Sequence, residues 1–277
     1  MTIVVKLGGS ALGDTNLHRQ LCQQIAQVGL KHRELIVVHG GGQQLTDLSQ
    51  RLGHPIVQHQ GRRVTDKATL EAAKMVFSAI NRDLVSELLV AGVSAIGIAS
   101  YDGGLITCKR RPPIPVDKVD ASHLQDTKLI DFGLVGEVEN VDLKILEHFW
   151  SNGFTPVVSC LGADRNGQIL NINADTLAAE LAVALGANQL ISVSDVEGIF
   201  LDGNKPSTCV PQLTVSEAKT LLDKGHLTDG MVPKVETALD ILNKGVSTVQ
   251  IVSGLTPNAL IDALDQEAGT ALIPDPR

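Results

Sequence analysis

A chain of 277 residues with 43% hydrophobic and 19% charged residues buries a substantial core and is too apolar to remain disordered. A formal net charge of -8 repels phosphate backbones and anionic membrane surfaces, and 3% aromatics leave few stacking platforms, so nucleic acid and membrane are excluded as partners and any anion must be held locally. No apolar run reaches the roughly 18 residues of a membrane span, no secretory leader pattern opens the chain, and Cys22, Cys108, Cys160 and Cys209 form no C-x-x-C pair. The expectation is a cytoplasmic protein with free thiols and no protein-held metal.

The chain opens on a β-branched run over 2–5, followed by Lys6 and the turn Leu7-Gly8-Gly9-Ser10. A lysine there is either a solvated strand end or a charge aimed at a ligand. A helical pattern over 16–29, a buried strand over 34–39 and a second helical pattern over 43–53 make the βαβ signature of a mainly parallel sheet. It continues with an amphipathic helix over 66–89, a strand over 94–99, a helix over 142–151 and a strand over 155–160. Between these lie HPIVQHQGRRV, LITCKRR and LIDFGLVGEVENV, which read as antiparallel additions at one end of that sheet, a usual place for a substrate pocket. After Gly167 the rhythm resumes with helices over 174–185, 215–223 and 235–244 and strands over 189–193 and 248–252. With no linker rich in proline or serine, residues 1–277 read as a single domain of two lobes sharing one sheet, 1–168 and 169–277.

Glycines carry the first chemical signal. In VVHGGGQQL, Gly40, Gly41 and Gly42 follow a buried strand and open a helix, where bare backbone N–H groups and the helix dipole face an anion at close range. The Gly8-Gly9 turn follows the preceding strand, so both loops leave the same carboxyl edge of a parallel sheet. One such turn is ordinary packing; two, with Lys6 beside one, point to phosphate or carboxylate binding. Neither G-x-G-x-x-G nor G-x-x-x-x-G-K-[ST] occurs, so a dinucleotide reading loses its main support and a P-loop is excluded. In LNINAD, Asn171, Asn173 and Asp175 precede an alanine-rich helix, as caps and dipole partners or as ligands. Lys234 follows Pro233 at a helix start, opposed by the dipole, which calls for an anionic partner. His39 reads as a structural hydrogen-bonding group rather than a proton carrier.

In order and spacing, VVKLGGS, VVHGGGQQ, GRRVT, DGGLIT, DFGLVGEV, TPVVS, LNINAD, SDVEGI and TDGMVPK resemble the amino acid kinase family, in its branch acting on N-acetyl-L-glutamate, over nearly the whole chain. The resemblance implies a three-layer α/β/α sandwich on a mainly parallel sheet, with acylamino-acid binding and dimerisation in the N-terminal lobe and ATP in the C-terminal lobe. It implies that Lys6 and Lys234 meet the transferring phosphoryl group and that Asp175 holds both ammonium groups. Gly8, Gly9 and Gly40 would serve the phosphoryl, Gly41, Gly42, Arg63 and Asn171 the substrate, and Arg62 would be a surface residue. Asp195, Val196, Glu197, Gly198, Ile199 and Phe200, with His226, Leu227 and Thr228, would line the nucleotide pocket. The implied reaction, a step of arginine biosynthesis, is ATP-dependent phosphorylation of the N-acetyl-L-glutamate side-chain carboxylate, with Mg2+ held by the nucleotide phosphates.

Two other readings remain beside it: a sister kinase for an aminoadipate or glutamate tail on an acidic carrier protein, and a catalytically silent amino-acid sensor. An acidic chain is a poor dock for an acidic carrier, and the joint presence of Lys6, Asp175 and Lys234 weighs against a silent site. A homodimer is expected through the helix over 66–89, whose apolar positions Ala72, Met75, Val76, Ala79, Ile80, Val85 and Leu88 exceed one core-facing stripe. In the resembling family, arginine-sensitive members carry an additional N-terminal helix; with the first strand beginning at Thr2, an arginine-insensitive dimer is the expectation.

Overall fold

The computed structural model describes residues 1–8, 10–59, 62–115, 129–201, 208–227 and 231–276. In chain order the elements are β1 (Thr2–Leu7), α1 (Thr15–Lys31), β2 (Glu34–His39), α2 (Gly42–Arg51), β3 (Gln58–His59), β4 (Arg62–Arg63), α3 (Lys67–Val90) and β5 (Ala95–Ala99). There follow β6 (Ile106–Arg110), β7 (Ile114–Pro115), β8 (Leu129–Ile130), β9 (Gly136–Val141), α4 (Lys144–Ser151), β10 (Thr155–Ser159), β11 (Leu161–Ala163) and β12 (Ile169–Asn171). The last third holds α5 (Ala174–Ala184), β13 (Gln189–Ser194), β14 (Gln212–Thr214), α6 (Val215–Asp223), α7 (Val232–Asn243), β15 (Thr248–Ser253), α8 (Ala259–Asp262) and β16 (Thr270–Ile273).

Among the described residues, eight strands form the main sheet in the order β14-β16-β15-β13-β1-β2-β10-β5. The six from β15 to β5 run parallel, and β16 is reversed against β15. The near-continuous apolar runs explain this: strands such as the one carrying LIVV at 35–38 are buried on both faces, as a parallel sheet covered by helices requires. From β1 the chain steps one way to β2 and the other way, later, to β13 and β15. Right-handed crossovers taken in opposite directions put their helices on opposite faces. The contacts agree, since α3 packs with α1 and α2, whereas α5 packs with α7 and α7 with α6. Side-chain caps start the helices where the residue types predict: Asp14 accepts from the N–H groups of Asn16 and Leu17, Asp66 from Thr69, Asn173 from Thr176, and Thr214 with Glu217 forms a capping box.

Three details differ from the sequence reading. Strand β1 runs on through Lys6 to Leu7, so the lysine is a paired strand residue. Helix α7 begins at Val232, which places Lys234 inside the first turn. The antiparallel segments do not extend the main sheet. Instead β12, β11, β6 and β9 form a sheet of their own, and β3 with β4 and β7 with β8 form short two-stranded antiparallel pairs. The turn after β5 is the cause: Gly103 and Gly104 adopt φ +62 and +76, and the Asp102 carboxylate accepts from Ala99 N–H, so the chain leaves the plane before β6. On α3, Ala72, Val76, Ile80 and Leu88 are buried within the chain and Val85 packs on the core, while Met75 and Ala79 face outward. Cys22, Cys108 and Cys160 are buried free thiols and Cys209 is half-buried. No helix among the described residues is long and apolar enough to cross a membrane.

Candidate active site

The site forms at the carboxyl edge of the parallel strands, on both sides of β1. Lys6 is paired between Val38 of β2 and Ser192 of β13 and is only 4% exposed. Its Nζ lies 2.7 Å from Oδ1 of Asp175, in the first turn of α5. Burial disfavours the Asp175 charge, but Lys6 and then Lys234 outweigh it and hold the carboxyl below its ordinary pKa. Lys234 sits in the first turn of α7, beside Pro233. Burial lowers its pKa, the Asp175 carboxylate opposes that shift, Lys6 adds to it and Asp195 opposes it again. Lys6 is thus paired directly with the half-buried Asp175 carboxylate, and Lys234 lies within the electrostatic reach of Asp175 and Asp195 without a direct ion pair to either among the described residues, which leaves its ammonium group available to a ligand.

The two glycine loops frame that charge. Gly8 continues β1 by donating to Val193 O at 2.9 Å, and a Cβ on it would stand 3.0 Å from that carbonyl oxygen. Gly40 donates to Leu7 O at 3.3 Å, which ties the second glycine loop to the end of β1. Gly41 caps α2 with no side-chain cap hydrogen bond, so the first N–H groups of this helix open into the cleft. A side chain at Gly41 is impossible without movement, because its Cβ would lie 2.5 Å from Ile80 Cδ1 on α3.

Two hollows meet here. The first, of about 330 Å³, is lined on its floor by Lys6, Gly8, Gly40, Gly41, Gly42 and Asp175, and on its walls by Arg62, Arg63, Arg111, Phe77, Asn171 and Asn173. The second, of about 280 Å³, is lined by Lys6, Gly8, Gly42, Gln43, Ser194, Asp195 and Lys234. They share Lys6, Gly8, Gly42 and Gln43, so the Lys6 side chain stands at their junction. In the first, Arg63 Nη2 donates to Gly42 O at 3.2 Å and to Thr46 Oγ1 at 2.5 Å. Arg111 Nε donates to Glu137 at 3.1 Å. Asn171 Nδ2 donates to Thr65 Oγ1 at 3.1 Å. Burial and then Arg111 lower the Arg62 pKa, against the attraction of Glu137 and Glu236. The Cys160 thiol, also at the first hollow, is pushed up to about 12 by burial and is inert at neutral pH.

The structure therefore brings together Lys6, Gly8, Gly40, Gly41, Gly42, Arg63, Asn171, Asp175, Asp195 and Lys234. It does not bring the rest of the expected nucleotide segment to the lining of either hollow. Val196 packs on the core and Glu197 is exposed. Gly198 and Ile199 are buried, with Ile199 N–H donating to Thr270 Oγ1, and Phe200 bridges to Cys209. His226 is exposed after α6, and Leu227 packs on the core. Gly9 and Thr228 lie outside the described residues. Arg62 is exposed, as expected, and also lines the first hollow, while Arg111, Gln58 and Thr46 join it unforeseen. The available signal was the pair of arginine doublets, 62–63 and 110–111, in hairpin segments of an acidic chain.

Chemically the arrangement can hold anions on either side of Lys6 and can stabilise negative charge moving between them. Among the described residues no histidine lines either hollow; His39 is buried away from both, and burial lowers its pKa to about 4. A family model described as "Amino acid kinase family" matches residues 1–253. Over 275 residues the chain is 39% identical to the acetylglutamate kinase of Myxococcus xanthus, covering 98% of this chain and 88% of that one. It is 40% identical to the acetylglutamate kinase of Sorangium cellulosum, covering 98% and 94%. Among solved structures, N-acetylglutamate synthase from Neisseria gonorrhoeae, complexed with coenzyme A and N-acetyl-glutamate, superposes with a TM-score of 0.82 at 22% identity. All of this chain but only 60% of that one is covered, a likeness of fold alone.

Proposed function

The chain belongs to the amino acid kinase family, and we propose that it transfers the γ-phosphoryl group of ATP to the side-chain carboxylate of N-acetyl-L-glutamate, giving ADP and N-acetyl-L-glutamyl 5-phosphate in arginine biosynthesis. The observation that carries this reading is the pair of buried Lys6 and half-buried Asp175, with Lys234 alongside, at the junction of two hollows. The relatives named acetylglutamate kinase supply the acceptor.

The first hollow takes the acylamino acid and the second the nucleotide phosphates. The nucleophile is a carboxylate with an ordinary pKa near ~4.3, so it arrives ionised and no general base is needed. One of its oxygens forms a bond to the γ-phosphorus as the bond to the β,γ-bridging oxygen breaks, and that electron pair leaves on ADP. The difficulty is the meeting of two anions. Lys6 faces the approaching carboxylate and the phosphoryl oxygens, Lys234 the nucleotide side, and the Gly41 and Gly42 N–H groups complete the cradle, with Gly8 giving close backbone approach while its own N–H stays bonded to Val193 O. Asp175 keeps both ammonium groups charged and aimed. Arg63 and Asn171 grip the substrate's other carboxylate.

Magnesium accompanying ATP fits the donors present. The ion would be held chiefly by the nucleotide phosphates and water, with the Asp195 carboxylate at the rim of the second hollow. When bound it neutralises charge on the β- and γ-phosphates. Residues 1–168 serve as the acylamino-acid lobe and 169–277 as the nucleotide lobe. A homodimer through α3 is supported by its outward-facing Met75 and Ala79. The test is ADP formation from ATP and Mg2+ on adding N-acetyl-L-glutamate. A purified, folded protein that releases ADP with a carrier-linked substrate and not with the free acylamino acid would overturn the reading.

A further inference from the structure

Beneath the glycine cradle lies a fully buried polar relay that the chemistry above does not use. His39, the last residue of β2, is 0% exposed, and Asn81, in the middle of α3, is 3% exposed. Asn81 Nδ2 lies 2.9 Å from Val157 O and 3.1 Å from His39 Nε2, while His39 Nδ1 lies 2.9 Å from Gly40 O.

Donor and acceptor bookkeeping fixes each proton. Val157 O only accepts, so the atom facing it is the amide nitrogen of Asn81, whose second hydrogen points to His39 Nε2. That nitrogen must then be the acceptor, the ring proton resides on Nδ1, and Nδ1–H donates to Gly40 O. The amide cannot turn over, because that would set its oxygen against the Val157 carbonyl. Its own oxygen is packed so tightly over β5 that a Cβ at Gly97 would collide with it. A neutral ring is required, in accord with a His39 pKa that burial lowers to about 4 against the opposing Gly40 hydrogen bond.

Fixing Gly40 O fixes more than one atom. In a trans peptide the carbonyl and the following N–H point in opposite directions, so an oxygen held down toward His39 sends Gly41 N–H up into the first hollow. The other side of Gly41 is held as well, since its carbonyl accepts from Leu45 N–H at 2.8 Å.

We propose that His39 and Asn81 are positioning residues for the acylamino-acid site: the Asn81–His39–Gly40 relay aims the Gly41 N–H at an anionic oxygen of the bound acylamino acid. The inference rests on the functional reading above. It assigns the histidine no proton transfer; it assigns it the direction of one hydrogen bond.

His39→Leu removes the donor to Gly40 and keeps an apolar filling, whereas His39→Asn restores an N–H near the position of Nδ1. Steady-state kinetics should show His39→Leu raising the KM for N-acetyl-L-glutamate about tenfold or more, the scale of one hydrogen bond to a charged group. The KM for ATP should stay within about twofold, and His39→Asn should recover most of the loss. Equal changes in both KM values, or no recovery with His39→Asn, would overturn the proposal. If His39→Leu does not fold, Asn81→Asp takes its place; it keeps the volume, removes both N–H donors, and should move the same KM alone. Nitrogen-15 NMR of the histidine-labelled wild-type protein decides the relay without substrate. A proton on Nδ1 and none on Nε2 is expected, and the opposite tautomer would overturn it. Wild-type protein inactive on N-acetyl-L-glutamate, but with the expected tautomer, would sink the functional reading instead, and with it the acylamino-acid role of the relay.

Discussion

Lys6 Nζ and Asp175 Oδ1 stand 2.7 Å apart, joining the carboxyl end of the central strand to the first turn of α5. The lysine is almost wholly buried, and the carboxylate's pKa is held down by Lys6 and Lys234 against burial. Such a pair gains little stability over an apolar filling, so its value lies in placing charge. Lys6→Ala and Lys234→Ala should each lower kcat by about 10² or more with smaller effects on KM, the loss typical of one preorganised charge. Asp175→Asn should also lower kcat, by leaving two ammonium groups facing each other. Steady-state kinetics on each variant check this, and a lysine variant with near-normal kcat would reject its role.

The arginine doublet yields a ranking. Arg63 spends one nitrogen on Gly42 O and Thr46, which fixes its plane and leaves its remaining donors for a carboxylate. Arg62 shares the hollow but is opposed by Arg111. Arg63→Lys should therefore raise the KM for N-acetyl-L-glutamate by about tenfold or more, and Arg62→Lys by clearly less, because an ammonium cannot copy a two-pronged contact. The reverse order would move the clamp to Arg62.

Two adjacent glycines should fail in different ways. At Gly41 a Cβ meets Ile80 and Phe77, and Gly41→Ala should destabilise the fold by about 1–3 kcal/mol as an overpacking change. At Gly42 a Cβ has open space and points toward the cleft, so Gly42→Ala should leave the melting temperature unchanged or slightly higher while raising the substrate KM. Thermal melts alongside kinetics separate the two.

His39 also sets a pH dependence. Its folded-state pKa of about 4 lies below the ordinary histidine value of 6.5, so between those values the unfolded chain binds the extra proton. Stability contributed by the neutral ring is complete above about pH 6.5 and is lost as pH falls toward 4. Between pH 7.5 and 5 the wild-type protein should lose about 2 kcal/mol more than His39→Asn does, measured by urea unfolding at both pH values. Parallel losses would show that the ring is protonated in the fold.

Much of the fold was legible because its signals are local. The apolar runs that became β2, β10, β13 and β15 are buried on both faces, as their composition requires, and Asp14, Asp66, Asn173 and Thr214 cap the helices they precede. The small sheet was not legible: β6, β9, β11 and β12 are short, their pairing is long-range, and a turn at Gly103 and Gly104 chooses their plane. The segment 195–200 was legible as a loop after a strand, yet its inward packing of Gly198 and Ile199 against Thr270 depends on a partner near the other end of the chain.

By itself the sequence determined which groups exist: two glycine loops after parallel strands, a lysine at the end of the first, an Asn-Asp helix start and a lysine set against a helix dipole. Those features follow from periodicity, steric freedom and capping, which act over a few residues. Only the tertiary structure decided that Lys6 and Asp175 touch, that Arg62 and Arg111 enter the substrate hollow beside Arg63, and that His39 turns inward to Asn81 rather than outward to a ligand. The reason is physical: contact, desolvation and hydrogen-bond direction depend on distances between residues far apart in the chain, and no local pattern encodes those distances.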